Sequence, residues 1–470
     1  MTSGVQLVPR TFVTFIIGLL LAISSGSGAD TKAGQPIPNG DVRNKRLVYG
    51  VCFYFTSEST NATLDKVKHL AMKWLPDAAV TPEDAPPPGT TFILCIEEKA
   101  PFKNFPVPKP SYFRYAGRGL SQQDIAALQN ARKAIQLVLV APKEAAWKDG
   151  QRFTQLALEF ANETQAYLWD SATRECFSPT AWRTNRVDSW SEGNIPDIRK
   201  QITIHLYRAN DDEPYLRAIT LGMEKFALPD IVVEKLIGSD NTPGGSLINV
   251  VCQSLAENPL VTNSSAQVFQ LRALQNKTIR ANYERSTLHG AEMSSALTLL
   301  RARRDEGDPD NALIEIGFQN GKGKTVDERR EDVLAKFWGS SDSVVKVRHT
   351  DDIMAASAQA RRKLASFQPR FEKGLQPGER LLVKGPFTRD DEGNEWMWVE
   401  VTKWPPCGPI EGILQNDPYF IKNLKSGTQV QVKYADAFDY IFYSADGTKE
   451  GNETGRLMEQ RTDASGTNRR

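Results

Sequence analysis

Glu395-Trp396-Met397-Trp398-Val399-Glu400-Val401 alternates with period two, so an extended chain puts Trp396, Trp398 and Glu400 on one face and Met397, Val399 and Val401 on the other. Upstream, Asp351–Phe371 spaces Ile353, Ala356, Ala360, Leu364, Phe367 and Phe371 at three and four residues, the single apolar stripe of a helix. Around the quoted stretch, Arg380–Lys384, Gly412–Leu414, Gln429–Tyr434 and Tyr440–Ser444 read as further strands. Turn signals at Asp391-Glu392-Gly393-Asn394 and Asp446-Gly447 join them in antiparallel fashion. Residues 350–460 are therefore expected to form a helix plus a small curled antiparallel sheet, with residues 461–470 a disordered tail. The helix's stripe needs a partner, and the expectation is that it covers the tryptophan side. The alternative leaves Trp396, Trp398 and Glu400, with Asn416 and Asp417 nearby in sequence, as a ligand or partner surface, since aromatic faces bind apolar and cationic groups.

Working outward, residues 46–260 mix strands and helices without a strict βαβ rhythm, which predicts an α+β domain of mixed and antiparallel sheets. Leu47–Phe55 is a rich β run, Asn61–Leu75 repeats its apolar residues at helical spacing, and Gln201–Arg208 alternates Ile202, Ile204 and Leu206 against Thr203 and His205. Tyr215–Phe226 and Asp230–Leu236 read as a helix–strand pair, and Leu247–Leu255 as a closing helix. A small ββαβ unit is expected over residues 265–349, from strands Ala296–Arg301, Ala312–Phe318 and Ser343–Val347 and helix Asp327–Trp338. The fold class is thus α+β in two or three units, preceded by a flexible leader over residues 30–45.

The N-terminus predicts export. Arg10 precedes the apolar run Phe12–Ile23, and Ser27-Gly28-Ala29 offers small residues for cleavage before Asp30, the three parts of a signal peptide over residues 1–29. The apolar run is shorter than the ~20 residues a membrane span needs. The chain carries 58 basic and 57 acidic side chains, and losing Arg10 with the signal leaves a formal net charge of zero. A neutral protein has no long-range field to gather polyanions, so nucleic acid is not an expected partner. The five cysteines, Cys52, Cys95, Cys176, Cys252 and Cys407, are scattered without a CxxC pair, which favours buried free thiols over a Cys52–Cys95 bridge.

Several chemical motifs fail on spacing. Gly317–Thr325 resembles a phosphate loop between a strand and a helix, but it puts five residues where four are needed and reads as a basic surface turn. His69, His205, His289 and His349 share no ligand spacing, so neither a metal nor any other cofactor is expected. A carboxylate pair assembled from distant positions stays open, because such residues need not be close in sequence.

The C-terminal unit resembles the YegJ-like domain, a bacterial domain of unknown function. The matching residues are Ala355–Arg361, Lys384-Gly385-Pro386-Phe387, Glu395–Val401, Gly412–Pro418, Leu424–Val430, Asp446-Gly447 and Gly451–Thr454. Phe438-Asp439-Tyr440 departs from the pattern, standing where the family often has an Asp-Trp pair. Upstream, Trp169-Asp170 through Cys176-Phe177-Ser178 and Trp182 look similar to parts of longer bacterial proteins with this domain. So do Leu221-Gly222-Met223 through Leu228-Pro229-Asp230. The resemblance implies a bacterial source, with periplasm as the natural destination and secretion as the alternative, and supplies no catalytic residues. The functional expectation is a non-enzymatic exported binding or protein-interaction protein, its partner a protein or an envelope component. A hydrolase with a carboxylate site and a structural envelope protein are the alternatives.

Overall fold

The computed structural model describes residues 6–7, 33–57, 61–81, 89–190, 195–207, 215–236, 241–287, 290–339, 351–376, 378–389, 394–406, 408–416, 418, 421, 423–445 and 448–457. The chain divides into an N-terminal unit, essentially residues 2–341, and a C-terminal unit, essentially residues 342–470. Helices and several mixed or antiparallel open sheets make both parts α+β, as the sequence predicts.

The first sheet of the N-terminal unit is built on strands Arg46–Phe55 and Lys133–Pro142, antiparallel over ten residue pairs. Alternation along Arg46–Phe55 sorts its side chains. Tyr49, Val51, Phe53 and Phe55 meet Val67, Leu70, Phe153 and Phe160 from helices Leu64–Trp74 and Ala146–Thr164. Cys52 and Tyr54 point the other way, toward Phe105, Phe113 and Leu128. Cys52 lies opposite Gln136 and Cys95 opposite Leu137 on the shared neighbour strand, so the two thiols face opposite sides of the sheet. Cys52, Cys95, Cys176 and Cys252 are all free and buried, while Cys407 lies outside the described residues.

The second sheet runs Gln6–Leu7, Thr203–Tyr207, Leu216–Leu221, Asp230–Leu236, Leu313–Gly317, Ser294–Arg301 and Gln267–Gln270. Two expectations change here. Leu216–Leu221, read as helix, is a central strand whose six residues are all buried. Its apolar residues fit a helical spacing as well as a strand, and pairing on both edges decides for the strand. Residues 265–349 do not form a unit of their own: Leu313–Gly317 pairs in parallel with Asp230–Leu236, so these strands complete one sheet. The expected strand Ser343–Val347 lies outside the described residues. Helices Asn241–Glu257 and Val326–Trp338 cover this sheet with Ile248, Val251, Val333 and Phe337.

The expected flexible leader is a strap over its described part. Gly34 and Ile37 amides donate to Arg301 and Leu299 carbonyls, Gly40–Asp41 pairs with Leu260–Val261, and the Asn44 amide donates to Ala227. Lys143 then donates to Lys45 at the edge of the first sheet. Ile37 is buried in the second sheet's core, which a polar composition conceals.

The C-terminal unit is a six-stranded antiparallel sheet in the order Gln429–Val432, Ile410–Leu414, Asn394–Lys403, Arg380–Thr388, Asp439–Tyr443, Lys449–Gly451. The expected long helix appears as Asp351–Ala365 followed by Gln368–Glu372. Pro369 sits in the first turn of the second, where its missing amide hydrogen is tolerated and its ring stops the helix before it.

Candidate functional site

Strand register settles which side of Asn394–Lys403 meets the helix. Met397, Val399 and Val401 are buried in one cluster with Ala360, Leu364 and Phe367 of the helical segment, and with Leu381, Val383 and Phe442. The helix therefore covers the aliphatic face, against the expectation that it would cover the tryptophans. Gly385 lies opposite Met397, and a Cβ there would meet Val432 Cγ1 at 2.6 Å, so the core side is filled to the backbone.

Trp396, Trp398 and Glu400 lie half-buried on the other face. Their cross-strand neighbours are Pro386, Lys384 and Leu382. Lys384 Nζ stands 5.7 Å from the Trp398 ring centre, and burial lowers its pKa, an effect that Asp439 opposes. Trp396 packs on Phe438 with ring centres 4.4 Å apart. Arg380 Nη2 donates to Glu400 Oε2 at 2.7 Å and to Gln415 Oε1 at 3.2 Å, and the guanidinium lies 5.9 Å from the Tyr443 ring. Asn416 is engaged by the backbone: its Oδ1 accepts from the Trp398 amide at 3.0 Å, while the Gln415 amide donates to the Trp398 carbonyl. Asn416 thus fixes the edge of the aromatic strand, and Asp417 lies outside the described residues. The face offers two indole surfaces, two cations and a carboxylate, a chemistry suited to holding a partner.

A second cluster, missed from sequence, lies inside the N-terminal unit. Asp170 Oδ2 accepts from Arg186 Nε at 2.7 Å and Lys225 Nζ at 2.9 Å, while its Oδ1 accepts from the amides of Ala172 and Thr173. Arg186 also donates to Thr173, Glu175 and the Lys200 carbonyl, and Arg118 donates to Glu175. Asp170 is 0% exposed and Arg186 2%. Burial pushes Asp170 up, but the Lys225 ammonium and Arg186 guanidinium outweigh it and hold the carboxyl below its ordinary range. Glu175 is lowered likewise, Arg118 and Arg186 overcoming burial. Burial and Arg186 bring Lys225 down to about 8. Glu224 is pushed up to about 8 by burial and by Asp230 and Asp170, and burial raises Asp230 to about 6 against hydrogen bonds from Asn311 and Thr220.

Local backbone sets this cluster. Gly222 has φ +110°, and a Cβ there would lie 2.8 Å from Thr173 Cγ2 and 3.1 Å from the Gln201 carbonyl, so only glycine turns the chain here. The turn aims Lys225 at Asp170, and Asp230 accepts from the Met223 amide to hold it. The signal in the sequence was the pair of stretches around Trp169–Ser178 and Leu221–Asp230, which supply Asp170, Glu175, Lys225 and Asp230. Carboxylates from distant positions do converge here. Yet clefts of about 260 and 200 Å³ in this unit are lined by other residues, so neither brings a substrate to them.

The near-miss phosphate loop is occupied from within. Thr325 caps helix Val326–Trp338, and Glu328 Oε2 accepts from the Lys324 and Thr325 amides that a phosphate would need. His69 is exposed, His205 is half-buried and lowered to about 4 by burial and Arg174, and His289 and His349 lie outside the described residues. Among the described residues no three His, Cys, Asp or Glu side chains are grouped to hold a metal ion, and no helix is long and apolar enough to cross a membrane.

A small antiparallel sheet with one helix-covered face and one aromatic face defines the C-terminal unit, and a family model covers it. Residues 350–468 match the family described as "Uncharacterized protein conserved in bacteria (DUF2314)". The expected bacterial domain of unknown function is thereby identified in this region, although the YegJ-like name is not the description it carries. No curated protein and no solved structure matches the chain.

Proposed function

We propose that the mature protein is an exported binding protein without catalytic chemistry of its own, whose partner docks on the Trp396, Trp398 and Glu400 face. The observation that carries this reading is the register that turns those residues away from the unit's helix. Indole rings give large contact area at little conformational cost, and the Lys384 and Arg380 cations beside them add orientation. The partner is a protein or an envelope component of the bacterial periplasm. Crosslinked capture from intact envelopes tests it: Trp398→Ala should lose the captured species while its circular dichroism stays native. Capture unchanged by the substitution would sink the reading.

Export rests on the Arg10–Ala29 pattern. The chain recovered from its native cells should then have the intact mass of a protein beginning at Asp30, and a mass that includes Met1–Ala29 would refute cleavage. Cleavage there removes the two-residue edge strand Gln6–Leu7 and spares the strap, which the Gly34 amide ties to the Arg301 carbonyl.

A further inference from the structure

We propose that the cleft of about 200 Å³ where the end of helix Leu64–Trp74 meets the start of helix Ala146–Thr164 binds a small α-amino acid as its zwitterion. Leu75, Ala78 and Ala145 give the cleft an apolar lining with room for a short side chain. The volume lies below the range of about 300–1,000 Å³ that holds drug-sized ligands, so the occupant is a smaller molecule. This cleft is separate from the aromatic face of the C-terminal unit, and its ligand is independent of any partner docked there.

The polar groups of the lining decide the ligand's charge. Asp149 is only 8% exposed. The Thr91 hydroxyl donates to Asp149 Oδ2 at 2.7 Å, while Oδ1 accepts no hydrogen bond among the described residues. Half-buried Arg152 and exposed Lys148 line the same cleft, and neither side chain has an acceptor among the described residues. Asp149 and Arg152 stand one helical turn apart, roughly 5–6 Å between Cβ atoms, yet form no ion pair with each other. With Asp77 exposed beside them, two anions stand against two cations, so the cleft favours neither net sign. What it offers is an idle carboxylate oxygen and an idle guanidinium within reach of one small molecule. A buried oxygen without a donor is costly, and a ligand ammonium brings three. The ligand's carboxylate then meets Arg152 at the start of a helix whose N-cap, Ala145, supplies no capping oxygen, where the helix dipole favours negative charge.

Calorimetric titration of the full chain with L-alanine tests this, with propionate and ethylamine as ligands that each lack one of its charges. L-alanine should bind saturably and one to one, and each of the other two at least about tenfold more weakly, the loss of one charge-assisted contact. Arg152→Gln should weaken L-alanine about tenfold at unchanged melting temperature. Asp149→Asn keeps an acceptor for Thr91 and should weaken it at least as much; if that buried substitution lowers the melting temperature, Arg152→Gln decides. No saturable binding of L-alanine, equal binding of propionate or ethylamine, or full affinity in Arg152→Gln would each overturn the proposal.

Discussion

Arg186→Met should destabilise the N-terminal unit by about 3–5 kcal/mol at neutral pH, because it strips two buried carboxylates of their shared counter-ion. Arg186 reaches Asp170, Glu175, Thr173 and the Lys200 carbonyl at once, and its guanidinium lies 4.5 Å from the Phe177 ring. Methionine keeps much of the apolar stem but leaves Asp170 with Lys225 alone and Glu175 with Arg118 alone, each short of one counter-ion.

The pH dependence of that loss separates charge from packing. In the native protein Asp170 and Glu175 titrate below their ordinary values, so their contribution is present at neutral pH and fades as pH falls through the folded values. Without Arg186 their desolvation is less opposed and their pKa values rise, so the stabilisation they contribute at neutral pH shrinks. The deficit should be widest near pH 7 and narrow toward about pH 4. Glu224 and Asp230, raised to about 8 and about 6, make both proteins less stable as pH rises through those values and largely cancel in the difference. Urea unfolding at the two pH values measures this. A deficit that stays constant would mean lost packing, and one that widens on acidification would contradict the ionic account.

Met397→Ala and Trp398→Ala should behave as opposites although the residues are adjacent. Met397 is 0% exposed among Leu364, Leu381 and Phe442, so truncation should cost the C-terminal unit about 2–5 kcal/mol. Trp398 is half-buried on the far side, and its truncation should cost about 1 kcal/mol. Equal losses in thermal unfolding would mean that both faces are core, which would remove the partner surface.

Period two in Glu395–Val401 fixed the membership of the two faces but not which one the helix takes. Trp-x-Trp and Met-x-Val are both apolar enough to close a core. The choice is made by Gly385 and the aliphatic side chains of neighbouring strands, information that is non-local. Leu216–Leu221 was misread for a related reason: a strand buried on both faces loses its alternation, and Arg217 reads as surface until Glu234 and Asp308 are seen to neutralise it. The strap was hidden by its composition, since backbone amides rather than apolar side chains tie most of it down. His205, by contrast, was legible, because Thr203–Tyr207 keeps Ile204 and Leu206 buried beside a half-buried histidine. The charge cluster was invisible as chemistry because each member, taken alone, looks like an ordinary solvated side chain.

The surface claim meets its most direct test in a photo-crosslinking comparison, with a benzophenone amino acid placed at position 398 in one variant and at 397 in another, inside intact cells. The account predicts one discrete adduct from position 398 that Glu400→Ala weakens, and only intramolecular products from position 397. Absence of an adduct at 398, or the same adduct from both positions, would contradict it.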